Sequence, residues 1–233
     1  MLEHRPPDPP RTEEELLARV RALAGKTLGD IARPLHLRVP RDLRRDKGFV
    51  GQTLETALGA RAGSRPIPDF WHLGVELKTL PIGKDGRPRE STYVCAVPVD
   101  ALHGLVWETS HVRRKLARVL FVPVEADPAR PIADRRVGRA TLWSCDDDPE
   151  RDTLRADWEE LASLIRQGFI DRITAHRGRV LQIRPKGADA HDARATVGED
   201  GWLLATQPRG WYLRAAFTNR VLDRHYARPA ATS

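Results

Sequence analysis

The chain has 233 residues, a formal net charge of +7 and a pI near 9.9, enough length for one large domain or two closely packed lobes around a real hydrophobic core. No apolar run approaches the ~20 residues of a membrane span, and the polar, proline-rich stretch from Met1 to Pro10 holds no signal-peptide core. Two cysteines, Cys95 and Cys145, are too few for a disulfide framework; they read as small buried fillers in a cytoplasmic protein. The positive balance favours a polyanionic partner. Only six of the 39 basic residues are Lys, so each Lys, a compact and tunable charge beside the always-protonated Arg, draws notice.

In chain order, residues 1–11 are expected to form a disordered lead. A helix starts at Thr12 with Glu15 completing a capping box, carries Leu16, Leu17, Val20 and Leu23, and stops at Gly25. A short helix follows over Thr27–Ile31, and a third over Phe49–Leu58, closed by Gly59. Glu55 lies among the apolar residues of that third helix. Val75–Leu80 is a strand, Thr92–Val97 a second one paired with or adjacent to it, and Leu105–Trp107 a continuation of the sheet. Thr109 or Ser110 caps a short helix through Lys115, and Val119–Val122 is an apolar strand. Arg113, Arg114, Lys115 and Arg118 form the densest basic cluster, read either as a solvated face or as phosphate contacts. Asp146–Asp148 mark the acidic start of a helix carrying Leu154, Trp158, Leu161 and Ile165. A short helix over 169–175, a strand over 179–184, a loop over 187–200, a short strand over 201–206, and a turn followed by a strand within 207–214 come next. Thr218 caps a last helix, and 227–233 is a tail.

The chemistry concentrates in Pro68-Asp69-Phe70-Trp71-His72-Leu73-Gly74-Val75-Glu76-Leu77-Lys78. Side chains two apart in a strand share a face, so Glu76 and Lys78 project together, roughly 6.7 Å apart at the usual rise, while Val75 and Leu77 anchor the other side. Gly74 permits a sharp bend that returns Asp69 toward Glu76. Two carboxylates supply hard oxygen ligands for Mg²⁺, and a neighbouring ammonium can orient a water or stabilise phosphate oxygens. That combination suits hydrolysis of a phosphodiester. Glu-x-Lys alone is a common surface pair; the preceding Pro-Asp and the helical Glu55, a third candidate acid, raise its weight. No Gly-x-x-x-x-Gly-Lys-Ser/Thr loop, Gly-x-Ser-x-Gly elbow or His/Cys pairing offers another chemistry.

With these residues in view, the chain resembles the MutH family of mismatch-repair endonucleases, which shares its Pro-Asp…Glu-x-Lys core with many restriction endonucleases. The resemblance runs from about Thr12 to Tyr226 through Arg45–Gly48, Leu54-Glu55, Asp69-Phe70, Leu73–Thr79, Trp107–Arg113, Arg135–Gly138, Asp157–Leu161 and Leu181–Lys186. It implies an α/β, restriction-endonuclease-like fold, a mixed sheet flanked by helices, with DNA in a cleft between two lobes, approximately 12–104 (catalytic) and 105–226 (DNA-reading). It implies a Mg²⁺-dependent enzyme that nicks the unmethylated strand of double-stranded DNA at hemimethylated GATC, is activated by a MutL-type protein and acts as a monomer. Carried over by position, Glu55, Asp69 and Glu76 hold Mg²⁺, Lys78 assists the nucleophilic water, and Lys115 supports the site or the scissile phosphate. Lys47 and Gly48 fall on a DNA-contacting loop. Arg184, Pro185, Lys186 and Tyr212 match the base-reading and methyl-sensing lobe, and Tyr93 stands where the family pattern has Phe. Residues 33–40, 125–131 and 187–200 depart most from that pattern. Two other readings are a restriction endonuclease cutting both strands of the same site and a non-catalytic DNA-binding module; the acids argue against the latter, because carboxylates repel a phosphate backbone unless a cation intervenes.

Overall fold

Side-chain caps set the first helices of the chain, whose computed structural model describes residues 7–63, 65, 67–98, 104–186, 194–197 and 203–227. Helix α1 (Glu13–Arg21) begins at Thr12, whose hydroxyl accepts the Glu15 N–H, but the expected capping box is not completed: the Glu15 carboxylate accepts the N–H of Arg11 at 2.7 Å and not that of Thr12. Residues 7–11, assigned from sequence to the lead, lie against this region: Pro10 is buried, and Arg19 donates to the carbonyls of both Asp8 and Leu58. Helix α2 (Leu28–Ala32) has a complete capping box between Thr27 and Asp30. Helix α3 (Phe49–Leu58) ends at Gly59 in the left-handed conformation (φ +84°). Glycine is required there twice over, since a Cβ would also sit 2.6 Å from the Asp8 carbonyl oxygen.

Two compact units are each assembled from separate stretches of chain. The first comprises Met1–Glu90, Ala117–Trp143 and Leu222–Ser233; the second comprises Ser91–Leu116 and Ser144–Val221. The division thus interleaves along the sequence instead of falling at one boundary near residue 104.

In the first unit, β1 (Glu76–Ile82) pairs in parallel with β3 (Arg118–Glu125), Glu76 opposite Val119 and Lys78 opposite Phe121. β3 lies between β1 and β4 (Thr141–Ser144) in a three-stranded sheet, and its six central residues are all buried, as a strand covered on both faces requires. Leu16, Val20, Leu54, Leu58, Phe70, Val75, Leu77, Leu120 and Val122 join in one core. The 10-residue helix α3 packs against β1 through this core.

In the second unit, β2 (Thr92–Ala96) pairs not with β1 but antiparallel with β8 (Arg209–Leu213), which also pairs with β5 (Leu181–Pro185). The apolar alternation of 92–97 specified a strand but carried no information on its partner. Helix α4 (His111–Leu116) starts after Ser110, whose hydroxyl accepts the Arg113 N–H. Helix α5 (Arg151–Arg166) packs on β5, and the rings of Trp107, Trp158 and Trp211 lie in succession through the core, 5.9 and 6.4 Å between centroids. β6 (Arg194–Val197), within the expected 187–200 loop, pairs antiparallel with β7 (Leu203–Thr206), which falls in the strand expected over 201–206. The last helix, α6 (Ala215–Tyr226), starts three residues before Thr218. Thr218 is fully buried, and its hydroxyl donates to the Ala215 carbonyl instead of capping the helix. Trp107–Thr109 and Ile170–Arg172 are single 3₁₀ turns where a strand and a longer helix were expected. The expected tail lies outside the described residues from 228 on, and among the described residues no helix is long and apolar enough to cross a membrane.

Candidate active site

β1 lies at the edge of its sheet, so the N–H of Leu77 finds no neighbouring strand. The preceding segment supplies its partner. Phe70 and Val75 bridge in antiparallel fashion, with reciprocal N–H···O contacts of 2.9 and 3.3 Å, around a turn that Gly74 closes at φ +67°. That bridge sets Asp69 opposite Glu76. Asp69 Oδ2 accepts the Leu77 N–H at 2.8 Å. On the strand itself, Lys78 Nζ donates to Glu76 Oε1 at 2.7 Å. The bend, the shared face and the acid–amine pair expected from sequence are all present.

Asp69 is 9 % and Glu76 3 % exposed. Buried carboxylates need counter-charge, and the Lys78 ammonium supplies it to Glu76. Two hard carboxylates with one amine beside them fit a divalent ion that takes its remaining ligands from water and substrate phosphate. The expected trio is not assembled, however: among the described residues no group of three or more His, Cys, Asp or Glu is gathered as a metal site. Glu55 lies on α3 with its carboxylate folded back over the preceding turn, where a Cβ on Gly51 would meet Oε1 at 3.7 Å. The acidic run Asp146–Asp148 is likewise not a metal site: Asp146 holds Arg113 through two contacts of 2.6 and 2.7 Å, and Asp148 accepts the Glu150 N–H.

Lys47 and Gly48 are exposed at the start of α3, where Gly48 is the N-cap. Lys115 is half-buried on α4 in the second unit. Its basic neighbours divide: Arg113 pairs with Asp146, and Arg118 makes a bidentate contact with Glu13 at 2.6 and 3.0 Å. Those two guanidiniums serve the fold, and Arg114 stays exposed.

The remaining sequence candidates come together on one face of the sheet β2–β8–β5. Tyr93 and Tyr212 are directly opposite in register, rings 5.3 Å apart and edge-to-face. Arg184 and Lys186, on and just beyond the end of β5, are exposed with Pro185 between them. The Arg184 guanidinium is 5.8 Å from the Tyr212 ring centroid, and Lys186 Nζ is 4.9 Å from that of Tyr93. Gly210, which the sequence pattern did not single out, makes this possible: a Cβ there would be 2.7 Å from Tyr93 Cε2 and 3.0 Å from Tyr212 Cε2. A glycine inside a strand, next to aromatic positions, was the available signal for such close approach.

A strand-borne Glu-x-Lys fixed beside an Asp on an adjoining turn, in the first unit, and a cationic and aromatic sheet face, in the second, each suit one class of protein: a phosphodiester hydrolase acting on nucleic acid. The sequence profile described as "DNA mismatch repair enzyme MutH" matches residues 58–157. "DNA mismatch repair protein MutH" of Serratia proteamaculans (strain 568) is 50 % identical over 220 residues, covering 94 % of this chain and 96 % of its own. Its namesakes from Klebsiella pneumoniae (strain 342) and Escherichia coli O6:K15:H31 (strain 536 / UPEC) are 52 % and 51 % identical over 218 residues, covering 94 % of this chain and 94 % and 95 % of theirs. The chain belongs to the MutH family of DNA mismatch repair enzymes.

Proposed function

We propose that this mismatch-repair endonuclease is Mg²⁺-dependent and nicks the unmethylated strand at hemimethylated GATC, under activation by a MutL-type protein, as a cytoplasmic monomer with its DNA in a cleft between two lobes. The observation that carries the chemistry is the Asp69–Glu76–Lys78 arrangement on and beside β1. Asp69 and Glu76 would hold the cation, with Glu55 joining them by swinging away from α3. When bound, the ion supplies positive charge against the scissile phosphate and acidity to a water. Lys78 retains N–H donors beyond the one given to Glu76; these orient the attacking water and stabilise phosphate oxygens as charge develops. Lys115 supports the same phosphate. Lys47 and the amides following Gly48 suit backbone phosphate, which an α-helix N-terminus favours.

Site selection falls to Arg184, Pro185 and Lys186, with Tyr93 and Tyr212 beneath them. Arg and Lys suit guanine edges, and a protein reading adenine N6 loses a donor when that nitrogen is methylated. Tyr212 senses the added methyl by steric fit. The test is cleavage of supercoiled plasmids with and without GATC, hemimethylated and unmethylated, with and without Mg²⁺ and a MutL-type protein. Mg²⁺-dependent nicking of the unmethylated strand, stimulated by the partner, is expected. Ready linearisation without the partner would establish the restriction-type reading instead.

A further inference from the structure

Asp157 occupies an improbable place for a carboxylate. It is three residues after Leu154 and one before Trp158 on the apolar face of α5, and it is only 5 % exposed. Its oxygens accept three consecutive backbone N–H groups: Arg179 at 2.9 and 3.0 Å, Val180 at 2.6 Å and Leu181 at 2.8 Å. Charge-assisted bonds of this kind are about twice as strong as neutral ones. The carbonyls of the same turn are held from the other side. Arg214, just past β8, donates to Gly178 and Ala175, each at 2.8 Å, and to Arg177 at 3.0 Å, while its own N–H meets the Val180 carbonyl at 2.9 Å. Gly178 takes φ +78°, and a Cβ there would overlap the Leu181 carbonyl oxygen. Carboxylate, guanidinium and glycine together fix where β5 begins.

The start of β5 decides what its end presents. Leu181 and Ile183 face the core, whereas Gln182, opposite Tyr212, and Arg184, opposite Gly210, face the other way. A slip of one residue would turn Arg184 inward and bring Ile183 to the outer face. We propose that Asp157, with Arg214 as its counterpart, is a positioning residue for DNA site selection: it sets the register of β5 and so holds Arg184 and Lys186 over Tyr212 and Tyr93. This inference rests on the assignment of Arg184 and Lys186 to site reading.

The experiment compares Asp157→Asn, Arg184→Ala and the double variant in cleavage of duplexes containing GATC or single-base variants of it. Asparagine keeps the shape but cannot accept from all three amides without presenting its own N–H₂. Asp157→Asn is expected to lower the ratio of kcat/KM for GATC over variant sites by ~10-fold or more, in the range of one lost base contact, through KM and not kcat. In the double variant the losses should fall short of additive, because Arg184 is one of the two residues that Asp157 positions and only the displacement of Lys186 remains to be felt. A lowered thermal midpoint with unchanged discrimination, or additive losses in the double variant, would overturn the positioning role. If Arg184→Ala itself leaves discrimination intact, the site-reading assignment has failed and not the register argument alone. Should Asp157→Asn not fold, Arg214→Lys, which retains the charge but loses the fork reaching three carbonyls, is measured by the same criteria.

Discussion

The backbone N–H that holds Asp69 belongs to Leu77, the residue between Glu76 and Lys78. One hydrogen bond thereby joins the acid of the turn to the strand carrying the other acid and the amine. Asp69→Asn preserves an acceptor for that N–H while removing the charge. It should fold normally, cost no more than about 1–2 kcal/mol in stability, and still bind GATC duplexes, yet abolish nicking. Thermal denaturation, a binding titration and the plasmid assay distinguish these effects, and wild-type turnover would remove Asp69 from the site.

Lys78 is held by Glu76 at 2.7 Å on a rigid strand. Replacing it with Ala should reduce single-turnover cleavage at least ~10²-fold, the usual cost of a transition-state donor. Lys78→Arg should not restore the rate, since a planar fork does not occupy the position of a compact ammonium. Full activity in the arginine variant would show that charge alone suffices.

Gly210→Ala would force its Cβ against the edges of Tyr93 and Tyr212. The rings lie on the face opposite the buried Trp211 and Leu213, so the core should be spared. Loss of site discrimination with little change in melting temperature is expected; unaltered discrimination would mean the ring arrangement is not used.

Lys47 is exposed beside the Gly48 N-cap of α3. Lys47→Ala should weaken binding to cognate and non-cognate duplexes alike and make the slope of log K against log salt shallower by about 0.9, the loss of one phosphate contact. A change confined to cognate DNA would instead place Lys47 among the base readers.

Burial pushes the Cys145 thiol up to about 11. In a Cys95→Ala background the native protein near pH 8 should react with a thiol reagent far more slowly than the unfolded chain, whose thiol titrates near ~8.5. Because the folded-state value is the higher one, stability should fall as pH rises from about 8.5 through about 11. Equal reactivity in both states would contradict the burial.

Local chemistry was readable from the sequence where one short segment determines it. Thr12 and Gly59 mark helix ends through bonds spanning three or four residues, and the period of a strand alone puts Glu76 beside Lys78. Partners distant in sequence were not readable: nothing in 92–97 points to 209–213, and the four-residue β4 is too short to show alternation. Glu55 illustrates the limit within the site. Its helix was foreseen to the residue, but the direction of its side chain depends on packing around α3, and it lies back over Gly51. The buried Asp157 was visible as a polar residue within an apolar repeat; its three amide partners were not.

The interleaving of the two units bears on biosynthesis. Strand β1, which bears Glu76 and Lys78, and its buried neighbour are translated early, but their unit also includes residues 222 onward, where the Tyr226 hydroxyl donates to the Arg139 carbonyl at 2.7 Å. That unit therefore cannot close on the ribosome until nearly all of this sequence has emerged. A nascent chain stalled anywhere before α6 would carry Asp69 and Glu76 without a finished support for them.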